Sequence, residues 1–374
     1  MLSNYLNTEV PMQPDEKRLR NVISQFKIDG SLTHVKANRE GHINSTYVST
    51  FVHEGKIKKY THQRINNYVF RKPLEVMENI HAVTEHIHAK LLGNYEDIDQ
   101  RCLRVVQARD GSLAHMDEEG GYWRTYHYID HVRTFSTIRD ASQAYLLGEA
   151  IGNFQLQLSD FDGKSLHETI PHFHDMGLRY QQLQEAMAFN HQNRLVHVGP
   201  ELDFLMANKE RGLLLWDGMS SGKLPTRVTH NDTKINNVLF KFDGSEALCI
   251  IDLDTVMPGT ILFDTGDMIR TATTTGEEDA TDLSTVSCDE KLHKALIRGY
   301  LAKAAFLTDE ERSLVVESGR NITQIMAVRF LTDYLNGDKY YSIQRERHNL
   351  DRARTQIRLM QDMDAKWDTL NRDV

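Results

Sequence analysis

The residues best suited to chemistry lie between positions 228 and 254, in the stretch VTHNDTKINNVLF and the later run IIDLD. The first contains His230, Asp232 and Asn237, and the second contains Asp252 and Asp254. An aspartate in a loop can accept a proton from a hydroxyl group, and an asparagine carbonyl can bind a hard cation. If the apolar runs NVLF and ALCII form paired strands, the carboxylates converge in a way that suits Mg²⁺ carrying nucleotide phosphates.

Each of these residues alone is also compatible with a structural role, because Asp and Asn in turns commonly satisfy backbone groups. The combined pattern is more specific. An H-x-D-x-x-x-x-N motif is followed by two apolar residues and Asp252, twenty residues after Asp232. This spacing favours a catalytic and metal-binding centre.

The composition limits the class of protein. The chain has 374 residues, with 40% hydrophobic and 26% charged residues, which fits two or three globular domains or one bilobal enzyme. The formal net charge of −9 and the lack of a basic stripe argue against a nucleic-acid partner. No apolar run approaches the length of a membrane span, and the N-terminal residues do not resemble a signal peptide. Three scattered cysteines, together with the lack of a signal peptide, favour a cytoplasmic location. We also expect no membrane partner, and a monomer or homodimer.

The first 130 residues predict a small sheet-rich unit. A short helix is expected at 15–27, followed by three strands separated by the turns GHIN and HEGK. Pro73 opens a helix in which Leu74, Met77, Ile80, Val83, Ile87 and Leu91 recur at steps of three and four. Two further strands are expected in RCLRVVQARDG and GYWRTYHYID.

The rest of the chain predicts mainly helices. Helices are expected at 142–161, near 175–190, near 200–215 and, after a capping box at Thr308 and Glu311, up to about 335. The polar segment 271–290 is expected to be a loop. The fold class is therefore α+β and bilobal, with a nucleotide-binding lobe at 1–130 and a catalytic and substrate-binding lobe at 131–374.

Six motifs carry a resemblance to a known family. In order from residue 41 to residue 338 they are GHIN, QRIN, THNDTKINNV, IDLDTVMPG, DTGD and RFLTDYLNGD. The catalytic and metal-binding motifs resemble those of the aminoglycoside phosphotransferase/choline kinase group, which has a protein-kinase-like fold. The six together look like the N-acetylhexosamine 1-kinase branch of that group.

The resemblance implies a role for each chemical residue. Asp232 would be the catalytic base, and Asn237 and Asp252 would bind Mg²⁺ in the presence of ATP. Asp254 would be a further ligand or would support the ligands. His230 is expected to brace the loop through hydrogen bonds, and Asp267 in DTGD to anchor the loop backbone.

The nucleotide contacts follow less directly from the resemblance. Kinases of this fold have a phosphate-binding lysine on the third strand, where this chain has Arg64, an arginine able to bind phosphate bidentately. Gly41 in the first turn would cover the phosphates. Adenine would lie at the lobe connection, near Tyr128 and Ile129. The acidic partner of Arg64 stays open among three residues of the following helix, Glu75, Glu78 and Glu85.

The acceptor contacts implied by the resemblance are His42, Asn44, Arg329 and Tyr340. Arg329 and Asp333 also have the i, i+4 spacing of an ordinary surface ion pair, which would contribute little to stability. Asp333 is therefore a weaker candidate for binding the acceptor.

The expected activity is transfer of the ATP γ-phosphate to the anomeric hydroxyl of N-acetylglucosamine or N-acetylgalactosamine. One alternative is a choline or aminoglycoside kinase of the same fold, and another is a non-catalytic nucleotide-binding protein.

Separately, the stretch HETIPHFHD could hold zinc through His167, His172, His174 and Asp175, although no further ligand motif accompanies it.

Overall fold

The computed structural model describes residues 16–38 and 44–372. Its first part is an antiparallel sheet with the strand order β1-β2-β3-β6-β4, and β5 also pairs with β6. The elements are α1 Glu16–Ser24, β1 Ser31–Asn38, β2 Ser45–His53, β3 Lys56–Arg64, α2 Pro73–Leu91, α3 Ile98–Arg101, β4 Val105–Val106, β5 His115–Met116 and β6 Tyr122–His127. The predicted meander of three strands is present, whereas the strand predicted in RCLRVVQARDG has only two residues.

One face of this sheet forms a small apolar core with α1. Successive strand residues point to opposite faces of a sheet. On this face the two ring nitrogens of His62 form hydrogen bonds with Ser49 Oγ at 2.7 Å and with Thr125 Oγ1 at 2.8 Å. Trp123 is completely buried there, and its ring lies 5.8 Å from that of Tyr47. The opposite face of the sheet, which carries Gln63, is therefore the one directed at the rest of the molecule.

Helix α2 connects the sheet to the large core. Pro73 occupies its first turn, where a missing N–H costs nothing. The predicted apolar face is buried except for Leu74, which is 47% exposed, because Val76 contributes to the buried face instead. The Asn79 amide donates to Val256 O at 2.9 Å and to His167 O at 2.8 Å, so α2 is hydrogen-bonded to the second part of the chain.

The second part is mostly helical, as predicted. Its elements are β7 Val132–Arg133, α4 Ala141–Gln157, α5 Met176–Phe189, α6 Gly199–Ala207, α7 Lys209–Ser220, β8 Arg227–Thr229, β9 Val238–Lys241, β10 Ala247–Ile250, β11 Met257–Gly259, α8 Leu262–Thr273, α9 Glu290–Leu301, α10 Asp309–Ser313, α11 Val315–Leu335, α12 His348–Ala365 and α13 Trp367–Leu370. The single helix predicted near 200–215 is two helices, which meet at Asn208. The capping box of Thr308 and Glu311 is confirmed.

Helix α11 lies at the centre of this part, and nearly all of its residues are buried. It packs against α5, α8 and α12. Such a helix shows no amphipathic pattern because neighbours cover all its sides. No helix in residues 16–38 and 44–372 has the length and apolarity required to cross a bilayer.

Glycines allow α4 and α9 to pack very closely. A Cβ atom at Gly148 would lie 2.0 Å from Leu296 O, and one at Gly299 would lie 2.0 Å from Tyr145 O. Both obstacles are backbone atoms, which move only if the helices separate. The pair of glycines therefore sets the distance between these two helices.

We expect Gly148→Ala to lower the free energy of unfolding by roughly 1–3 kcal/mol, because the added methyl group forces the two helices apart. Thermal and urea denaturation would measure this loss. Gly199→Ala is the matched control, since it is a helical glycine with no atom within 4 Å of the new Cβ. Equal stability of the two variants would contradict the close-packing explanation.

Candidate active site

Asp232 lies in the loop between β8 and β9 and is only 4% exposed. Its carboxylate is 3.1 Å from Lys234 Nζ and accepts a hydrogen bond of 3.0 Å from Asn237 Nδ2. Burial alone would raise the pKa of Asp232, but the positive charge of Lys234 opposes this most strongly, and the pKa lies below its usual value. Asp232 is therefore an ionised acceptor, oriented by two neighbours of its own loop.

His230 braces this loop, as the sequence suggested. Its Nδ1 accepts a hydrogen bond of 3.2 Å from the Asp232 backbone N–H, so its Nε2 carries the proton and donates to Ile251 O at 3.0 Å. The ring is completely buried. Because both nitrogens are engaged, His230 connects the Asp232 loop to the end of β10 and has no free nitrogen for proton transfer.

Two carboxylates at the start of α8 hold the backbone of the same loop. Asp264 accepts hydrogen bonds from His230 N at 3.0 Å and from Asn231 N at 2.7 Å. Asp267 accepts from Thr233 N at 3.0 Å, which is the anchoring role expected of the DTGD motif. Three backbone N–H groups of the loop, those of His230, Asn231 and Thr233, are thus bonded to carboxylates of α8.

The hairpin of β9 and β10 brings the second motif to the first. Val238 pairs with Ile250 and Leu239 with Cys249, so Asn237 and Asp252 flank the same end of the ladder. The Asn237 amide nitrogen donates to Asp232 O at 2.8 Å as well as to the Asp232 carboxylate, which leaves its carbonyl oxygen as an acceptor. Asp252 has a left-handed backbone, with φ 63°, that turns the chain after β10.

Asp252 is the carboxylate suited to a cation. In the part of the chain that the structure describes, no residue donates a hydrogen bond to its side chain. Burial and the charges of Asp254 and Asp232 raise the pKa of Asp252 to about 6. Residues 16–38 and 44–372 contain no cluster of three or more acidic, histidine or cysteine side chains that could hold a metal unaided. Asp252 with the Asn237 carbonyl fits Mg²⁺, which usually takes few protein ligands together with water and phosphate oxygens.

Asp254 is fully engaged by residues of the sheet-rich part. It is 3% exposed, forms an ion pair with Arg124 of β6, and accepts a hydrogen bond of 2.6 Å from Asn44 Nδ2. Asn44 Oδ1 in turn accepts from Asn66 N at 2.9 Å. These contacts favour a supporting role for Asp254 over metal binding. They also place Asn44, an expected acceptor contact, beside the carboxylates.

Arg64 lies away from these carboxylates. Its guanidinium lies against Gly121 and Asp117, on the sheet face opposite Gln63. Gln63 Oε1 instead accepts a hydrogen bond of 2.9 Å from Arg124, the buried cation beside Asp254. The position of Arg64 gives no support to a phosphate contact, which stays a prediction. The three glutamates considered as acidic partners of Arg64 pair with other side chains: Glu75 with Lys72, Glu78 with His167 and Glu85 with Arg104.

The connection after β6 contains the two residues expected near adenine. Tyr128 is 38% exposed, and its backbone N–H donates to Lys59 O at 3.1 Å. Ile129 is buried in a small cluster with Leu239, Leu248 and Cys249. This cluster joins the connection to the hairpin that carries Asn237 and Asp252. Gly41 and His42 lie outside the described residues.

Arg329 and Tyr340 meet in the helical part of the molecule. Arg329 is 7% exposed, and its guanidinium lies 5.4 Å from the Phe173 ring centre and 5.9 Å from that of Tyr340. Asp333 does not pair with Arg329, because its oxygens accept backbone N–H bonds from residues 339–341 and a hydrogen bond from Asn349. Asp333 therefore shapes the turn that presents Tyr340.

The histidines of HETIPHFHD point in different directions. His167 pairs with Glu78 and His172 with Asp175, while the His174 ring is buried between those of Phe173 and Phe263. They do not form a zinc site.

Sequence reasoning missed three residues. Lys234 follows Asp232 by two positions, and this spacing was the available signal. Asp264 opens the DTGD motif, in which only Asp267 was expected to anchor the loop. Arg124 gave no signal, because only the strand pairing places it beside Asp254.

Known structures share this fold. A microcompartment-associated aminopropanol kinase is 12% identical, with 96% of this chain and 99% of that chain covered and a TM-score of 0.61. A phosphotransferase from Alicyclobacillus acidocaldarius, described as acting on aminoglycosides, is 11% identical, with coverage of 98% and 95% and a TM-score of 0.57. A spectinomycin phosphotransferase in complex with ADP and spectinomycin is 11% identical, with coverage of 96% and 100% and a TM-score of 0.54.

The similarity to these structures confirms the α+β, bilobal, protein-kinase-like fold. The sequence model of the phosphotransferase enzyme family matches residues 34–312, which is more than half of the chain and includes every residue of the Asp232 loop and of the β9–β10 hairpin. The chain therefore belongs to the phosphotransferase enzyme family.

Proposed function

We propose that this protein is an ATP- and Mg²⁺-dependent kinase that phosphorylates the anomeric hydroxyl of an N-acetylhexosamine, either N-acetylglucosamine or N-acetylgalactosamine. The observation that carries the proposal is the hydrogen bond of 3.0 Å between Asn237 and Asp232, beside Asp252. This contact brings an oriented, ionised proton acceptor next to two candidate cation ligands. Phosphoryl transfer requires both groups.

In this mechanism Asp232 orients the acceptor hydroxyl and accepts its proton. Asn237 restrains one oxygen of the carboxylate, so the other is directed by Lys234 and by the incoming hydroxyl. An anomeric hydroxyl is more acidic than an ordinary alcohol, and a carboxylate of low basicity therefore suffices. Phosphoryl transfer depends mainly on such positioning.

Asp252 and the Asn237 carbonyl would hold Mg²⁺. The ion supplies charge neutralisation for the phosphate oxygens when it is bound. Lys234 is close enough to Asp232 to stabilise negative charge on the transferred group as well. The nucleotide would lie between this centre and the connection at residues 126–130, with Tyr128 and Ile129 near adenine.

The surroundings of Arg329 favour a sugar over an amine as the acceptor. Arg329 is buried against aromatic rings, and no described carboxylate lies within 4 Å of it. A second buried cation would be repelled at this position. Aminopropanol, the substrate named for one structural neighbour, carries an amine. A pocket for that class needs carboxylates or unoccupied aromatic faces, whereas these rings already face a guanidinium.

We expect ADP formation with N-acetylglucosamine or N-acetylgalactosamine in the presence of ATP and Mg²⁺, and little with choline, ethanolamine or kanamycin. Coupled ADP measurement on each acceptor separately would test this, with a no-acceptor reaction as the control for ATP hydrolysis. Turnover with an amine acceptor and none with either acetamido sugar would overturn the proposed substrate class.

Asp232→Asn should lower kcat by about 10²–10⁴-fold, because the amide cannot accept the proton. Nucleotide affinity, measured by calorimetry, should change little. Asp203→Asn is a matched control on the exposed side of α6 and should keep the wild-type rate. A nearly normal rate for Asp232→Asn would show that this carboxylate is not the base.

Asp252→Asn should increase the Mg²⁺ concentration required for half-maximal activity by at least about tenfold, since it removes the charged ligand. A titration of activity with Mg²⁺ at saturating ATP would measure the shift, and Asp243→Asn in the exposed β9–β10 turn is the control. An unchanged Mg²⁺ requirement would assign the metal to other residues.

A further inference from the structure

His174 is a buried histidine whose two ring nitrogens make no hydrogen bond of good geometry with the described residues, although the ring interacts with the side chain of Asn231. The residue is 3% exposed, and its ring centre lies 4.5 Å from that of Phe173 and 4.6 Å from that of Phe263. Buried polar atoms nearly always have a partner, because leaving one unsatisfied is unfavourable. The mechanism proposed above makes no use of this imidazole.

Arg179, in the first half of α5, has a similar deficit. Its terminal nitrogens donate to His172 O at 2.9 Å, Phe173 O at 3.0 Å and Gln182 Oε1 at 2.9 Å. Its Nε is buried and has no partner among the described residues. No described carboxylate lies within 4 Å of this guanidinium either. The bonds to residues 172 and 173 place Arg179 directly beside the His174 segment.

The charges around His174 determine its state. Burial lowers its pKa well below the ordinary value, and the charges of Arg329 and Arg179 lower it further. Burial and Arg329 also lower the pKa of Arg179, to about 10, so it stays protonated at neutral pH. The cluster thus contains two guanidinium groups and one neutral imidazole. A neutral imidazole offers one N–H donor and one nitrogen acceptor.

This cluster adjoins the catalytic loop. Phe263, which packs on the His174 ring, directly precedes Asp264, whose carboxylate accepts the N–H bonds of His230 and Asn231. Asn231 directly precedes Asp232. On the other side, Arg329 shares the Phe173 ring with the cluster. His174 and Arg179 therefore adjoin both the Asp232 loop and Arg329.

We propose that His174 and Arg179 form a subsite for the amide group of the acceptor, an inference that rests on the proposed sugar kinase function. A secondary amide has one N–H, which can donate to the unprotonated imidazole nitrogen, and one carbonyl oxygen, which can accept a hydrogen bond from Arg179 Nε. Its methyl group would pack on Phe173 and Phe263. An amine would be repelled by the guanidinium groups, and a carboxylate would leave the acceptor nitrogen of His174 unmet.

The test compares N-acetylglucosamine with glucose, which has the same anomeric hydroxyl but a hydroxyl at carbon 2. In the wild type we expect kcat/KM to favour the acetamido sugar. His174→Phe and Arg179→Met should each lower kcat/KM for N-acetylglucosamine roughly 10- to 100-fold and change that for glucose less than about twofold. His174→Gln, which keeps a donor and an acceptor, should retain part of the preference.

His172→Asn is the matched control, because His172 is exposed two residues away and its left-handed backbone suits asparagine. Thermal denaturation identifies any variant that does not fold, and Arg179→Met and His174→Gln then still provide the test. If the variants lose both sugars equally, or neither, the amide subsite is wrong.

Calorimetric binding of the two sugars, with a non-hydrolysable ATP analogue and Mg²⁺ present, separates this proposal from the proposed function. A wild type that phosphorylates neither sugar contradicts the function. If it still binds N-acetylglucosamine more tightly than glucose, and His174→Phe abolishes the difference, the subsite is supported. Equal affinity of the wild type for both sugars overturns the subsite.

Discussion

The carboxylates of Asp232, Asp252 and Asp254 lie close enough for their charges to interact, and their mutual repulsion is the constraint on which the site depends. Asp232 is neutralised by Lys234 and held by Asn237, and Asp254 is neutralised by Arg124 and held by Asn44. Asp252 has no such partner among the described residues, and burial together with the charges of Asp254 and Asp232 raises its pKa. The protein thus balances two of the charges itself and leaves the third unneutralised, which is what the proposed cation site requires.

The surrounding strands and helices hold these three carboxylates close together. The β9–β10 hairpin fixes Asn237 and Asp252 at one end of a ladder, and α8 collects the backbone N–H groups of the Asp232 loop with Asp264 and Asp267. Since α11 packs against α8 along the core, the position of Asp232 depends on helix packing as much as on the loop itself.

The sequence predicted the fold class, the meander, the central hairpin and the bracing by His230, because each follows from local periodicity or from a motif of fixed spacing. It did not predict which face of β3 points at the site. Gln63 and Arg64 are adjacent in sequence, and a difference of one position in strand register exchanges their directions. Arg124 was missed for the same reason, since only the pairing of β3 with β6 brings it to Asp254. Tertiary pairing of this kind leaves no local signal.

The bonds of Asp254 to Arg124 and Asn44 also bear on how the molecule can move. They join the sheet-rich part to the turn that carries Asp252 at a buried point, and Asn79 adds a second connection close by. Removing one partner of a buried ion pair typically costs about 3–5 kcal/mol, so these contacts hold the two parts of the chain together at Asp254. Relative motion of the two parts would therefore pivot at Asp254, so that their outer edges could move while Asp232, Asn237 and Asp252 kept their spacing.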